Sequence, residues 1–214
     1  MIKIAPSILS ANSAFLGDEV KKLEYAGADY VHFDVMDGHF VNNMTFGPKI
    51  LRDLKKCTNL MFDVHLMVEN PVKFIPWYIE AGADILTFHI EAVENPIEAI
   101  NLIKQNNIKV GISIKPNTDI STLEPYLDMI DLILVMSVEP GFGGQTFIPD
   151  SIEKIAKLKK LIKDKDILIE VDGGININTA EECANAGVDI LVAGTAVFTG
   201  NNYKKNILSL KGEL

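Results

Sequence analysis

Apolar residues fall along this chain in two alternating patterns. Short apolar runs without strict alternation recur at 2–5 (IKIA), 30–35, 60–65 (LMFDVH), 84–90, 109–114 (KVGISI), 132–137 (LILVMS), 167–172 (ILIEVD) and 189–193. Such runs predict strands covered on both faces, as in parallel sheets. Between them lie helical patterns, near 14–26, 47–57, 71–81, 95–106, 121–129, 150–164, 178–187 and 201–211. Three segments repeat: AGADYVHFDV at 26–35, AGADILTFHI at 81–90 and AGVDILVAGT at 186–195. The glycine of each suits the left-handed position that ends a helix, so each reads as helix, tight turn, strand. Asn70-Pro71 and Asn95-Pro96 predict an N-cap followed by Pro in the first helical turn. Ser121-x-x-Glu124, Asp150-x-x-Glu153 and Asn178-x-x-Glu181 predict capping boxes.

Eight strands alternating with eight helices predict an α/β fold, a compact (β/α)8 TIM barrel. The alternative is an open doubly wound sheet. That fold's G-x-G-x-x-G is missing after the first strand, where the chain reads APSILSAN. No linker or shift in composition interrupts the pattern, so residues 1–214 are expected to form one domain.

Composition narrows the function. The chain has 214 residues, 48% of them hydrophobic and 23% charged, enough to bury a substantial core. Its charge is 20 − 29 = −9, which argues against nucleic-acid or anionic-membrane partners, because these require a basic face. A phosphorylated small molecule remains open, since backbone N–H groups hold phosphate without Lys or Arg. Cys57 and Cys183 form no C-x-x-C pair and fit a reducing, cytoplasmic setting. The N-terminal MIKIAPSILS lacks the features of a secretory signal, and no apolar stretch has the length of a membrane span.

In such a barrel the site lies at the C-terminal ends of the strands. His32 and Asp34 share one face of the second strand, and Asp63 and His65 share one face of the third. If that face is inward, His32, Asp34, His65 and Asp172 converge on the barrel axis. Any one of them alone is more readily a hydrogen-bonded core residue. Four titratable groups at the ends of three apolar strands are costly unless a cation gathers them. Two imidazoles and two carboxylates suit one divalent transition metal ion, Zn, Mn, Fe or Co. Asp63 and Glu170, two residues earlier on their strands, read as deeper supporting groups. His89-x-Glu91 reads as pocket wall. Met36, Met67 and Met136 fall at the same strand ends, as core filler or as an apolar pocket floor that excludes water.

A second constellation is rich in glycine. VEPGFGGQTFIP at 138–149 has no regular period, and loops this long are usually functional. Gly141, Phe142, Gly143 and Gly144 lie in it. Gly173-Gly174 follows strand seven and Gly194-Thr195 follows strand eight, where barrels often bind phosphate through backbone. Three such segments at adjacent strand ends favour a phosphate cradle over simple turns. The loop at 37–46 reads equally as a lid or as a turn, and so does 138–149.

IAPSILSAN, VHFDVMDGHFVNNMTFGP, FDVHLMVENP, MSVEPGFGGQTFIP, IEVDGGIN and LVAGTAVF together resemble the ribulose-phosphate 3-epimerase family, over residues 4 to about 198. The resemblance implies a ribulose-phosphate-binding type of barrel and a metal-dependent isomerase of the pentose phosphate pathway. It would interconvert D-ribulose 5-phosphate and D-xylulose 5-phosphate. It implies His32, Asp34, His65 and Asp172 as metal ligands, with Asp34 as proton acceptor and Asp172 as donor. Ser7 and His65 would touch substrate. Gly141, Phe142, Gly143, Gly144, Asp172, Gly173, Gly174, Gly194 and Thr195 would line the sugar-phosphate site. A relative acting on allulose 6-phosphate tends to interrupt the two glycine pairs, which this chain keeps. The competing readings are that relative, a metal-assisted sugar-phosphate lyase or decarboxylase, and a non-catalytic sugar-phosphate-binding barrel with a structural metal. A barrel of this size is also expected to associate with copies of itself.

Overall fold

The computed structural model describes residues 1–214, the side chain of residue 201 excepted. Its strands are β1 (Lys3–Pro6), β2 (Tyr30–Met36), β3 (Met61–Met67), β4 (Ile85–His89), β5 (Lys109–Ile114), β6 (Leu132–Met136), β7 (Leu168–Asp172) and β8 (Ile190–Ala193). They pair in parallel in the order β1-β8-β7-β6-β5-β4-β3-β2. The two ends of that order meet: the Asp29 N–H donates to the Ile4 carbonyl at 3.0 Å, and Ser7 bridges His32. The result is a (β/α)8 TIM barrel.

Alternate strand residues separate two apolar layers. Val31, Phe33, Val64, Leu66, Ile133 and Val171 pack outward in the main core, with helix residues such as Leu23, Ile75, Ile100 and Leu158. These helix residues come from α1 (Leu16–Ala26), α3 (Pro71–Ala81), α4 (Pro96–Lys104) and α5 (Asp150–Leu161), and α2 (Pro48–Leu54) lies between β2 and β3. Full burial of a side chain such as Leu66 or Phe33 stabilises the fold by about 1.5–3 kcal/mol, an upper value because unfolded chains already hide some surface. Ala5, Tyr30, Ile85, Leu132, Leu134, Ile190 and Val192 form a smaller cluster that fills the barrel interior.

The repeated segments have a shared physical basis. Gly27, Gly82 and Gly187 end α1, α3 and α6 (Ile177–Ala186) with φ of 85°, 100° and 104°, a region that favours glycine. Two residues later an aspartate clamps a neighbouring strand. Asp29, Asp84 and Asp189 accept, through the side chain, the N–H of Ile4, Phe62 and Ile169 at 2.9, 2.6 and 2.8 Å. Asp131 does the same for Val110 at 2.8 Å. Each aspartate's own N–H donates to the carbonyl of that same partner residue. Every even-numbered strand is thus preceded by an acid that holds the odd-numbered strand before it. Lys55, Lys159 and Lys211 pair with Asp84, Asp189 and Asp29 at 2.6, 3.2 and 2.8 Å.

The strands match the sequence expectation to within two residues, but several helix starts do not. Asn70 and Asn95 stand at N-cap positions with Pro following, yet neither side chain makes a cap bond. The Ser121 box is replaced by Asp119, whose carboxylate accepts the Ser121 N–H, and the segment is a 3-10 helix over Ile120–Tyr126 containing Pro125. Pro125 lacks an N–H, which disfavours a regular α-helix there. Pro149, with no side chain able to accept, precedes α5, so Asp150 lies inside the helix. The last box begins at Asn176 and closes with Thr179, two residues before the expected start at Asn178. A short helix, α7 (Thr195–Phe198), follows β8 before α8 (Tyr203–Lys211) and was absent from the sequence pattern. Among the described residues no helix is long and apolar enough to cross a membrane.

Candidate active site

The pleat that sends Phe33 and Val35 outward sends His32, Asp34 and Met36 inward. In register beside them on β3 stand Asp63, His65 and Met67. Across the barrel, Asp172 ends β7 beside Met136. His32, Asp34, His65 and Asp172 each direct one donor atom into a cluster whose atoms lie within 4.8 Å of one another. Asp34 Oδ1 is 3.3 Å from both His32 Nε2 and His65 Nδ1. Asp172 Oδ2 is 4.0 and 3.9 Å from the same two nitrogens. The Ser7 hydroxyl donates to Asp34 Oδ2 at 2.5 Å.

Beneath this cluster the barrel stays polar. Asp63 Oδ2 lies 2.5 Å from His32 Nδ1, and Glu170 Oε1 lies 3.9 Å from it. Both Glu170 oxygens are buried without a hydrogen-bond partner, and so is His32 Nε2. Burial, with the charge of Asp63, pushes Glu170 well above the usual carboxylate range. Burial also opposes ionisation of Asp34, but the neighbouring His32, with His65 beside it, outweighs burial and holds the group low. Burial and the neighbouring Asp34 charge push Asp172 up to about 6. The two carboxylates at the mouth are therefore displaced in opposite directions, which gives one site two groups of different proton affinity.

His89 corrects the expectation of pocket wall. It is fully buried, with Nε2 2.9 Å from His65 Nε2 and Nδ1 3.2 Å from Glu91 Oε2. Burial lowers its pKa to about 4. Glu91 is lowered to about 2: burial opposes this, but hydrogen bonds from His89, the Lys115 N–H and the Thr118 hydroxyl prevail.

A pocket of ≈ 440 Å³ opens above the cluster, within the range of small-ligand sites. Ser7, Asp34, Asp172, Met36, Met67 and Met136 line it, together with Gly141, Phe142, Gly143, Gly144, Gly173, Gly174, Gly194 and Thr195. His32 and His65 do not: both are fully buried and stand behind the carboxylates. Among the described residues no Lys or Arg lines it. Gly174 has φ 64°, and a Cβ there would come within 2.4 Å of the Phe147 backbone nitrogen. A Cβ on Gly194 would approach the Ser10 hydroxyl to 2.3 Å. Packing thus demands glycine at 174 and favours it at 194, and bare backbone faces the pocket at both.

The loop at 37–46 is folded on itself. The Asp37 carboxylate accepts the N–H groups of His39, Phe40 and Glu69. Asn43 Nδ2 donates to the Gly141 carbonyl at 2.7 Å, joining this loop to the glycine-rich one. Sequence reasoning missed Thr45, whose hydroxyl donates to the Asp34 carbonyl at 2.6 Å and accepts the Met36 N–H at 3.0 Å. A lone threonine in a loop carries no periodic signal. It also missed Ser10 and Asn176, which line the pocket.

Known proteins resemble this chain over nearly its whole length. A profile described as the ribulose-phosphate 3 epimerase family matches residues 3–198. The chain is 48% identical to the ribulose-phosphate 3-epimerase of Bacillus subtilis, covering 99% of each. It is 47% identical to that of Escherichia coli, covering 99% of this chain and 95% of the relative. Among solved structures, KGPDC from Streptococcus mutans superposes with a TM-score of 0.70 at 14% identity, covering 100% of this chain and 97% of that one, a likeness of fold. The profile match and the two full-length relatives agree, and the chain belongs to the ribulose-phosphate 3-epimerase family.

Proposed function

We propose that this protein interconverts D-ribulose 5-phosphate and D-xylulose 5-phosphate by proton exchange at C3, with Asp34 and Asp172 as the two proton-transfer groups. The observation that carries the reading is their placement. They come from β2 and β7, on different walls of the barrel, and among the described residues they alone are charged and line the pocket. Epimerisation removes the weakly acidic C3 proton next to the C2 ketone and returns a proton to the opposite face. One carboxylate on each side of the carbon serves both steps. Asp34 accepts in one direction while Asp172 donates, and the roles exchange on reversal. The Ser7 hydroxyl fixes the Asp34 carboxylate through its hydrogen bond. Met36, Met67 and Met136 keep the reacting carbon on an apolar floor, which protects an enediolate from stray protons.

The donor set fits a divalent transition ion: two nitrogens and two carboxylate oxygens converge, and His32 Nε2 is buried with no other partner. His32, Asp34, His65 and Asp172 would hold it. When bound, such an ion supplies Lewis-acid stabilisation of the charge developing on the substrate oxygens, an effect of several kcal/mol. The backbone of Gly143-Gly144, Gly173-Gly174 and Gly194-Thr195 holds the phosphate through N–H groups, which is how a chain of charge −9 accepts an anion.

Incubation with D-ribulose 5-phosphate in heavy water tests the chemistry. Deuterium is expected at C3 of product and of recovered substrate. Turnover that leaves C3 fully protiated would exclude exchange through the two carboxylates, and loss of carbon would point to a lyase instead.

A further inference from the structure

We infer that His65, His89 and Glu91 form a one-way hydrogen-bond relay that fixes the tautomer in which His65 presents Nδ1 to the cluster of metal-ligating atoms. His89 and Glu91 are then positioning residues. This rests on the metal reading above and goes beyond it.

An imidazole ligates only through a nitrogen that carries no proton. His65 Nδ1 is the nitrogen at the cluster, 3.3 Å from Asp34 Oδ1. Its proton must therefore sit on Nε2. That atom lies 2.9 Å from His89 Nε2, so His89 Nε2 must accept. A neutral His89 then carries its own proton on Nδ1, which lies 3.2 Å from Glu91 Oε2. An ionised carboxylate can only accept. Every link points the same way, from the ligand nitrogen to the acid. Reversing one link would set two N–H groups, or two lone pairs, against each other inside the barrel, where an unmatched polar atom is costly.

The far end of the relay is held still. Glu91 Oε1 accepts the Lys115 N–H at 2.8 Å and the Thr118 hydroxyl, which turns Oε2 toward His89. Lys154 Nζ in turn binds the carbonyls of Lys115, Pro116 and Thr118. The Phe40 ring lies against His89, centroids 4.8 Å apart. His89 is thus buried, oriented and bonded at both nitrogens.

Glu91→Gln tests the polarity. Its amide oxygen keeps the Lys115 and Thr118 bonds, while its NH₂ replaces Oε2 and donates to His89 Nδ1. The His89 proton is then forced onto Nε2, facing the His65 proton, and His65 can comply only by protonating its ligating nitrogen. We expect Zn(II) affinity, measured by chelator competition, to fall about 10- to 100-fold, with the metal-free thermal midpoint close to that of the parent. Zn(II)-loaded parent protein labelled at its four histidines provides a second readout. Its nitrogen NMR shifts should show His65 protonated at Nε2 and His89 at Nδ1. Unchanged affinity in Glu91→Gln, or a parent His89 protonated at Nε2, overturns the relay and leaves the metal reading standing. A parent that takes up no Zn(II) overturns both. Should Glu91→Gln fail to fold, the tautomers of the parent decide alone.

Discussion

The two ends of this barrel are built on opposite plans. At the N-terminal ends of the strands one device is used four times: Asp29, Asp84, Asp131 and Asp189 each grip the backbone of the preceding strand. At the C-terminal ends three strands share a closing methionine, Met36, Met67 and Met136, but the polar residues differ from strand to strand. β2 carries an imidazole and a carboxylate near its end, β3 an imidazole, β7 ends in a carboxylate followed by two glycines, and β8 is followed by a glycine. Closing a ring of strands poses the same problem at every second strand and accepts the same answer. Gathering a cation, moving a proton and holding an anion are separate problems that need separate residues. Repetition in this chain marks stability, and its breakdown marks chemistry.

If that division is right, substitution at the mouth should cost activity and spare the fold. Asp34→Asn and Asp172→Asn each remove a proposed proton-transfer group without changing shape. Turnover should fall by about 10²- to 10⁴-fold, checked by the initial rate of xylulose 5-phosphate formation. A variant that kept parental turnover would remove that residue from the mechanism. Stripping the proposed ion with a chelator should abolish turnover as well. It should also lower the thermal midpoint, because a ligand at a hundredfold excess over its Kd contributes about 2.7 kcal/mol, worth about 5–10 °C in a chain of this size. Full turnover by verified metal-free protein would sink the proposal.

Much of this division was legible in the sequence because each end writes a local pattern. The foot writes A-G-x-D three times, and the glycine conformation follows from that residue alone. The mouth writes His-x-Asp and Asp-x-His, whose spacing of two sends both side chains inward once the strand is known. What stayed hidden depends on contacts between distant segments. His89 looked like wall because its meaning lies in His65, 24 residues away. Asp131 escaped the repeat because its segment lacks the A-G pair, although its clamp has the same geometry. Two capping boxes slipped because Asp119 and Asn176 each stand two residues before the expected cap. Which residue adopts the extended cap conformation is set by how the chain leaves the strand.

The foot gives the converse prediction. Asp84→Ala removes the acceptor of the Phe62 N–H and the partner of Lys55. One lost bond to a charged group should cost about 1.5–3 kcal/mol, read as a fall of several degrees in the thermal midpoint. The turnover number of the folded fraction should stay at the parental value, since Asp84 lies outside the pocket lining. A variant of full stability and impaired turnover would mean that the two ends are not independent.

Salt should separate the ends in a single titration, with the smallest effect of all but with a sign that is diagnostic. Three of the four foot aspartates have lysine partners, with side chains partly open to solvent. Raising the ionic strength screens such pairs, so the thermal midpoint should fall slightly. A phosphate site built on Lys or Arg would weaken under the same screening, and KM would rise. Among the described residues no such side chain lines this pocket, and the chain as a whole is negative by nine charges. At long range the net charge of the chain repels an incoming sugar phosphate, and screening relieves that part of the field. KM for D-ribulose 5-phosphate should therefore stay flat or fall as sodium chloride rises from about 0.05 to 0.5 M, a range over which the Debye length shortens from roughly 14 to 4 Å. A KM that climbed steeply with salt would mean that a cationic side chain reaches the phosphate, and the backbone cradle would have to be abandoned.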